Sequence, residues 1–148
     1  MKVVVLVTLF MIPIHGFAGA WGVGSFENDS ALDWAFELDN ASSTDFLLQT
    51  FSAVPNSDYL QIDSCSAALA AADVVASMLA GTLSHLPEDV HAWASNYSAE
   101  SFQALRVPAL EAVSKCLNVE ISEVAQLWDE AAPEQWSEYT VDLLVKLN

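Results

Sequence analysis

Residues 63–81 read DSCSAALAAADVVASMLAG, and this stretch decides the fold. Apolar side chains recur in it at the spacing of one helix face, namely Leu69, Ala72, Val75, Ala76 and Leu79. Asp63 is placed to cap the first turn, and Gly81 is placed to end the helix. The pattern therefore predicts a long, mostly apolar helix at the centre of the protein.

The chain on both sides of this helix, from residue 21 onward, also has helical periodicity. Segments that begin with a capping residue or proline predict helices at residues 30–38, 45–53, 87–96, 98–118, 122–131 and 133–147. Pro108 should kink or split its segment, because proline lacks the backbone N–H and its ring clashes with the preceding turn. We therefore expect an all-α fold, a compact single-domain helical bundle of about six or seven helices.

The first twenty residues, MKVVVLVTLFMIPIHGFAGA, have the layout of a secretory signal peptide. Lys2 precedes an apolar run that is shorter than the roughly 20 residues that span a bilayer, which disfavours the alternative of an uncleaved anchor. Small residues at Ala18 and Ala20 suit a signal peptidase. The sequence predicts cleavage after Ala20, one mature helical domain at residues 21–148, and an extracellular, secreted protein.

The composition is strongly acidic. The chain has a formal charge of −16, which becomes −17 when Lys2 is removed with the leader. Binding to nucleic acid or to anionic lipid is disfavoured, because phosphate contacts need Lys and Arg. The acidic residues are scattered and 53% of all residues are hydrophobic, so a disordered acidic tail is also excluded. Cations, basic proteins or a mineral surface are the partners that this charge favours, and the sequence leaves the oligomeric state open.

Residues 21–38, WGVGSFENDSALDWAFEL, contain two glycines in front of an amphipathic run. A phosphate-binding loop needs a lysine and a preceding strand, and neither is present. We expect the glycines to form a tight turn that folds Trp21 and Phe26 back onto the bundle. Asp29 or Ser30 would then cap the first helix.

Acidic side chains in the same stretch make a weak candidate cation site at Glu27, Asp29 and Asp33. Their spacing lacks the glycine and the regular alternate ligands of a calcium loop, so a capping and solvated face is the main alternative. We expect no cofactor, and calcium binding only of a diffuse, weak kind.

The opening motif resembles the amino-terminal signature of the domain-of-unknown-function 4259 family of small helical proteins. The residues that carry this resemblance are Trp21, Gly22, Gly24, Phe26, Asn28, Asp29, Asp33 and Trp34. Later segments, from the alanine-rich helix to a final helix containing Trp136, follow in the family's order, so the resemblance covers nearly the whole mature chain. It implies a helical fold and supplies no established activity and no catalytic residues.

Two kinds of modification are suggested by the sequence. Cys65 and Cys116 are the only cysteines, and a bridge between them would form if their helices run antiparallel; buried free thiols are the alternative. Asn28, Asn40 and Asn96 stand in N-x-[ST] sequons and are candidates for N-glycosylation.

Catalytic patterns are absent from the sequence. His85 and His91 flank a short acidic segment, but no metalloprotease or nucleophile-elbow motif accompanies them, so we expect no enzyme and name no catalytic residue. Two function classes remain. The first is a secreted acidic structural or interaction protein, including a component of an extracellular or biomineral, shell-type matrix. The alternative is an exported small binding or immunity-like module that recognises a protein partner.

Overall fold

The computed structural model describes residues 19–148. The predicted signal peptide lies outside the described residues, except for Gly19 and Ala20. In the described range, seven α-helices and two 3₁₀ helices follow one another. They are α1 (Asp29–Asp39), α2 (Asp45–Ser52), α3 (Ile62–Ala80), a 3₁₀ helix (Leu83–His85), α4 (Glu88–Ala94), a 3₁₀ helix (Ala99–Leu105), α5 (Arg106–Cys116), α6 (Glu123–Ala131) and α7 (Pro133–Leu147).

The predicted all-α fold is confirmed. Residues 19–148 form no strand, and their only bridge-type pairings are isolated ones, between Ala20 and Asn28 and between Leu60 and Ser122. The seven α-helices agree with the predicted bundle of six or seven helices.

The central helix is α3, which packs against α1, α2, α5 and α7. Most of its side chains between Cys65 and Met78 are buried, so it is covered on nearly every side. Alanine lets neighbouring helices approach closely, because its side chain is a single methyl group. By length and composition α3 is also apolar enough to cross a membrane, but 72% of this stretch is buried inside the protein. Its apolar character is thus accounted for by its place in the core.

The two cysteines lie where the beginning of α3 meets the end of α5. Both side chains are fully buried, and the Cα atoms of Cys65 and Cys116 are 5.3 Å apart, within the range of a disulfide. The predicted pairing is confirmed. The bond links residues 51 positions apart in the sequence.

Pro108 splits the long segment that the sequence predicted at residues 98–118. A 3₁₀ helix ends at Leu105, and α5 begins at Arg106, so Pro108 falls in the first turn of α5. In that turn the backbone N–H groups have no intrahelical acceptor, and a residue that lacks the N–H is tolerated. The 3₁₀ helix is fixed to the core by Phe102, which is fully buried with its ring edge-on to Trp93 and Tyr97.

Two of the predicted helix caps are wrong. The N-cap of α1 is Asn28, not Asp29 or Ser30, and its Oδ1 accepts the N–H of Ala31 at 2.8 Å. At the start of α3, the Ile62 N–H is bound by the distant Glu123 carboxylate at 2.8 Å rather than by Asp63. The predicted end of α3 is confirmed, because Gly81 adopts a left-handed conformation with φ of 69°.

Candidate functional site

The segment before α1, residues 19–28, forms one wall of the candidate site. Phe26 packs against the core, with its ring centre 6.5 Å from that of Trp34. Trp34 itself is buried, and its Nε1 donates to the Thr50 hydroxyl at 2.9 Å. Trp21 was predicted to fold back in the same way, but 59% of it is exposed. Trp21 is exposed because Phe26 already covers Trp34. The Trp21 backbone is held in the turn by its N–H, which donates to the Glu27 carbonyl.

Gly22 and Gly24 allow a side chain to approach closely, and neither of them has a positive φ angle. Glu27 folds its carboxylate back over the turn, where Oε2 accepts the Gly24 N–H at 2.8 Å. A Cβ atom at Gly22 would overlap that carboxylate, and one at Gly24 would lie 2.8 Å from it. The glycines thus make room for a carboxylate of the same chain.

The structure shows where each of the candidate cation ligands lies. The Glu27 carboxylate is bound to its own loop, while Asp29 and Asp33 are exposed on α1. Over residues 19–148, no three His, Cys, Asp or Glu side chains are grouped so that they could hold a metal ion. The structure does not bring Glu27, Asp29 and Asp33 together as a ligand set.

A buried carboxylate, Asp73 of α3, lies at the centre of the site. Its Oδ2 accepts a short hydrogen bond from the Ser25 hydroxyl, and its Oδ1 lies 3.2 Å from the Ser77 Oγ and 3.0 Å from the His85 Nε2. All three groups can donate to an ionised carboxylate when His85 carries its proton on Nε2. Asp73 therefore ties the segment before α1 and the 3₁₀ helix after α3 to the central helix.

An Asp, a His and a Ser in contact invite comparison with a hydrolase triad, but the geometry differs. In a triad, one ring nitrogen of the histidine binds the carboxylate and the other binds the serine. Here the same atom, His85 Nε2, lies 3.0 Å from Asp73 and 3.3 Å from the Ser77 hydroxyl. His85 therefore cannot accept a proton from Ser77 while it donates to Asp73. The cluster is arranged to satisfy a buried charge rather than to activate a nucleophile.

A cavity of about 290 Å³ opens beside this cluster, between the segment before α1 and helix α7. Glu27 and Phe26 line it on one side, and Tyr139, Asp142 and Lys146 line it on the other. Asp142 and Lys146 form an ion pair of 2.6 Å on α7, so the only lysine of the cavity wall is already paired.

Tyr139 brings a polar group to the inner part of the cavity. Its hydroxyl is buried and has no hydrogen-bond partner among residues 19–148. Burial, and after it the negative charge of Asp73, raises the pKa of Tyr139 far above its usual range, and the neighbouring Ser25 hydroxyl offsets this only in part. An unpartnered buried hydroxyl is unusual, because such a group ordinarily finds a partner.

The pKa of Tyr139 leads to an expected alkaline destabilisation. In the unfolded chain a tyrosine ionises near pH ~10, whereas the folded protein holds Tyr139 neutral, so the stability is intact below that pH and is lost as the pH rises above it. We expect the melting temperature to fall steeply from pH ~10 upward, together with the appearance of tyrosinate absorbance. The Tyr139→Phe variant should have a shallower fall. The unaltered protein is the reference for this comparison, and an equal fall in the two proteins would contradict the assignment.

Sequence reasoning missed the residues that matter most here. Asp73, Ser25 and Tyr139 were assigned no role, and His85 was considered only as one of two histidines that flank a short acidic segment. His85 is 42% exposed in its side chain, but its ring reaches Asp73. One signal could have found the site: Asp73 is the single charged residue between Cys65 and Gly81, within an otherwise apolar helix.

The three sequons differ in their surroundings. Asn28 is half-buried, caps α1 and donates through Nδ2 to the Ser25 carbonyl at 3.3 Å, so its amide nitrogen is engaged in the site. Asn40 and Asn96 lie exposed at the ends of α1 and α4, where each amide bonds only to its own helix. His91 is likewise exposed, on α4.

The comparisons with known proteins agree with the family resemblance that the opening motif indicated. The family model described as Domain of unknown function (DUF4259) matches residues 19–139, which include the segment before α1, Asp73, His85 and Tyr139. No curated protein and no solved structure matched the chain.

Proposed function

Because the chain belongs to the family described as Domain of unknown function (DUF4259), which brings a fold but no activity, we propose a function from its own charges and contacts. The protein is a secreted, acidic, non-enzymatic interaction protein that binds a basic protein partner.

The distribution of charge carries this proposal. Eighteen of the 20 carboxylates are exposed, and the two others are the half-buried Glu123 and the buried Asp73. Few cations offset them: of the three in residues 19–148, Lys146 is paired with Asp142, Lys115 is half-buried, and Arg106 is half-buried and donates to the Asn148 carbonyl at 2.8 Å. Such a surface attracts basic partners and accelerates their association.

An exposed apolar strip on α1 favours a protein as the partner. Leu32 and Phe36 are one helical turn apart, and 74% of Phe36 is exposed. Asp33 and Glu37, both exposed, lie beside them on the same helix. Apolar side chains bordered by carboxylates suit a basic, amphipathic protein surface. A mineral surface, in contrast, offers no apolar group against which Phe36 could be buried.

Secretion is supported by the disulfide and by the leader pattern. Disulfides persist in oxidising compartments and are rare in the cytosol of most organisms. The Cys65–Cys116 pair therefore suits a protein that carries an export signal. In a eukaryotic host, the exposed Asn40 and Asn96 can carry glycans without disturbing the fold, whereas a glycan on Asn28 would compete with the hydrogen bonds of its side-chain amide.

The proposal of a non-enzymatic role rests on the polar cluster. Asp73, Ser77 and His85 are mutually bound in a way that satisfies a buried carboxylate, and the shared Nε2 contact leaves Ser77 without a base.

A component of an extracellular or biomineral matrix is the second candidate, and the dispersal of the carboxylates favours it. Eighteen exposed carboxylates spread over the surface can hold many calcium ions loosely, whereas a tight calcium site needs six to eight converging oxygens. This candidate requires no specific partner.

Two measurements on the native protein separate the candidates. Isolated from its source at low salt, it should elute as a soluble stoichiometric complex with a basic protein, dissociate in high salt, and begin at Trp21. Recovery from an insoluble, calcium-containing matrix would instead support the second candidate.

The Phe36→Ser variant should weaken the complex, while Val107→Ser, an exposed apolar change on α5, is the control.

Calcium titration of the mature protein completes the test. We expect weak, multiple binding in the roughly millimolar range that disappears in high sodium chloride, because exposed charges are screened. A single stoichiometric calcium ion that resists salt would overturn the diffuse description.

A further inference from the structure

We propose that the cavity beside Asp73 binds the guanidinium group of an arginine side chain. This inference rests on the proposed function, since the arginine would belong to the basic partner, and it assigns the acidic protein a defined recognition site.

The charge of the cavity determines the sign of the charge that a ligand should carry. Three carboxylates line it, those of Glu27, Asp73 and Asp142. Asp142 is paired with Lys146, and the hydrogen bonds to Asp73 include two from uncharged serine hydroxyls, which solvate its charge without neutralising it. The cavity therefore keeps an excess of negative charge in partly buried surroundings, where a cation is favoured.

The buried Tyr139 hydroxyl is an independent sign that a polar ligand belongs there. Tyr139 lines the cavity, and its hydroxyl, buried in the wall, has no hydrogen-bond partner within residues 19–148. A ligand that donates hydrogen bonds would give its oxygen a partner, at the same time as it pairs with a carboxylate. A guanidinium does both, because it presents five N–H donors in a planar fork.

The size and walls of the cavity limit the ligand further. A volume of about 290 Å³ is at the lower end of ligand pockets and admits a single side chain rather than a folded element. Phe26 and Leu143 supply apolar surface for a methylene stem, and an aromatic ring also attracts a cation that lies over it.

A metal ion fits the same cavity poorly. The residues described here offer no cluster of three metal-ligating side chains, and the Glu27 carboxylate already binds the Gly24 N–H. Lysine is a weaker match than arginine, because its ammonium is a compact point charge with three donors, whereas the guanidinium offers five N–H groups to a carboxylate and a hydroxyl.

The test uses three capped tripeptides, Gly-Arg-Gly, Gly-Lys-Gly and Gly-citrulline-Gly, titrated into the mature protein and followed by two-dimensional NMR. Citrulline has the shape of arginine without its charge. We expect saturable shifts at Glu27 and Tyr139 with the arginine peptide, and binding about tenfold weaker with citrulline. Equal binding of both peptides, or shifts that avoid the cavity, would overturn the proposal.

Matched variants keep the test independent of folding. Tyr139→Phe should weaken arginine binding about fivefold or more while leaving the melting temperature at neutral pH unchanged or higher, since it removes an unpartnered hydroxyl. Glu27→Gln should also weaken binding, whereas Glu138→Gln, an equal charge change on an exposed part of α7, should not. Equal effects of the two Glu→Gln variants would mean diffuse attraction. That result would remove the cavity site and leave the proposed binding of a basic partner intact.

Discussion

Replacing both Cys65 and Cys116 with alanine should lower the free energy of unfolding by about 4 kcal/mol. The bond closes a loop of 51 residues, and a cross-link of that length removes this much conformational entropy from the unfolded chain. Alanine is the suitable replacement because both sites are fully buried, and serine would add a polar group to the core. The measurement is urea unfolding followed by circular dichroism.

Reduction supplies the control for this prediction. A reducing agent should destabilise the unaltered protein by a similar amount and leave the double variant unchanged. If the double variant unfolded at the same urea concentration as the oxidised protein, the cross-link would contribute nothing to stability. A drop in both proteins on reduction would point to an effect of the reagent rather than of the bond.

Asp73→Ala should have the second largest effect, a loss of about 3 kcal/mol in the free energy of unfolding. Alanine leaves the hydroxyls of Ser25 and Ser77 and the ring of His85 without their common acceptor, and removing one partner from a buried charged network is strongly destabilising. The segment before α1 should also loosen, because Ser25 is its polar link to α3. Hydrogen exchange of the amides in residues 19–28 should therefore rise more than that of α5.

Asp73→Asn is the matched variant, since it keeps the size and one acceptor oxygen. Its loss should be smaller, about 1–2 kcal/mol, because one of the three donors then faces an N–H group. An unchanged stability of Asp73→Ala would show that the network is held together by surrounding packing alone. Equal losses in the two variants would assign the effect to charge rather than to hydrogen bonds.

Periodicity and covalent chemistry made much of the fold predictable. The long apolar helix, its end at Gly81, the split at Pro108 and the Cys65–Cys116 pair each follow from a simple rule. These rules are helical spacing, a left-handed cap, a missing N–H and the presence of only two cysteines. The first three rules depend only on residues that are close in the sequence. For the disulfide, two cysteines allow only one pairing.

The candidate site could not be predicted in this way, because it is formed by contacts between residues that are distant in the sequence. Ser25 meets Asp73 across 48 positions of sequence, and Ile62 is capped by Glu123 across 61. Asn28 displaced Asp29 as the cap because the turn at Gly22 and Gly24, closed by Glu27, fixes where the helix can begin. Trp21 is exposed for a related reason, since Phe26 already covers Trp34.

The place of α3 in the bundle also bears on how the chain is made. Ribosomal synthesis completes α3 before α5 and α7 exist, yet these later helices provide much of its cover. A nascent chain that ends near Asn96 would thus present to its surroundings a 19-residue helix apolar enough to enter a bilayer. Folding of the bundle can be completed only once α7 has been made, so α3 stays partly uncovered while the chain between α3 and α7 is synthesised.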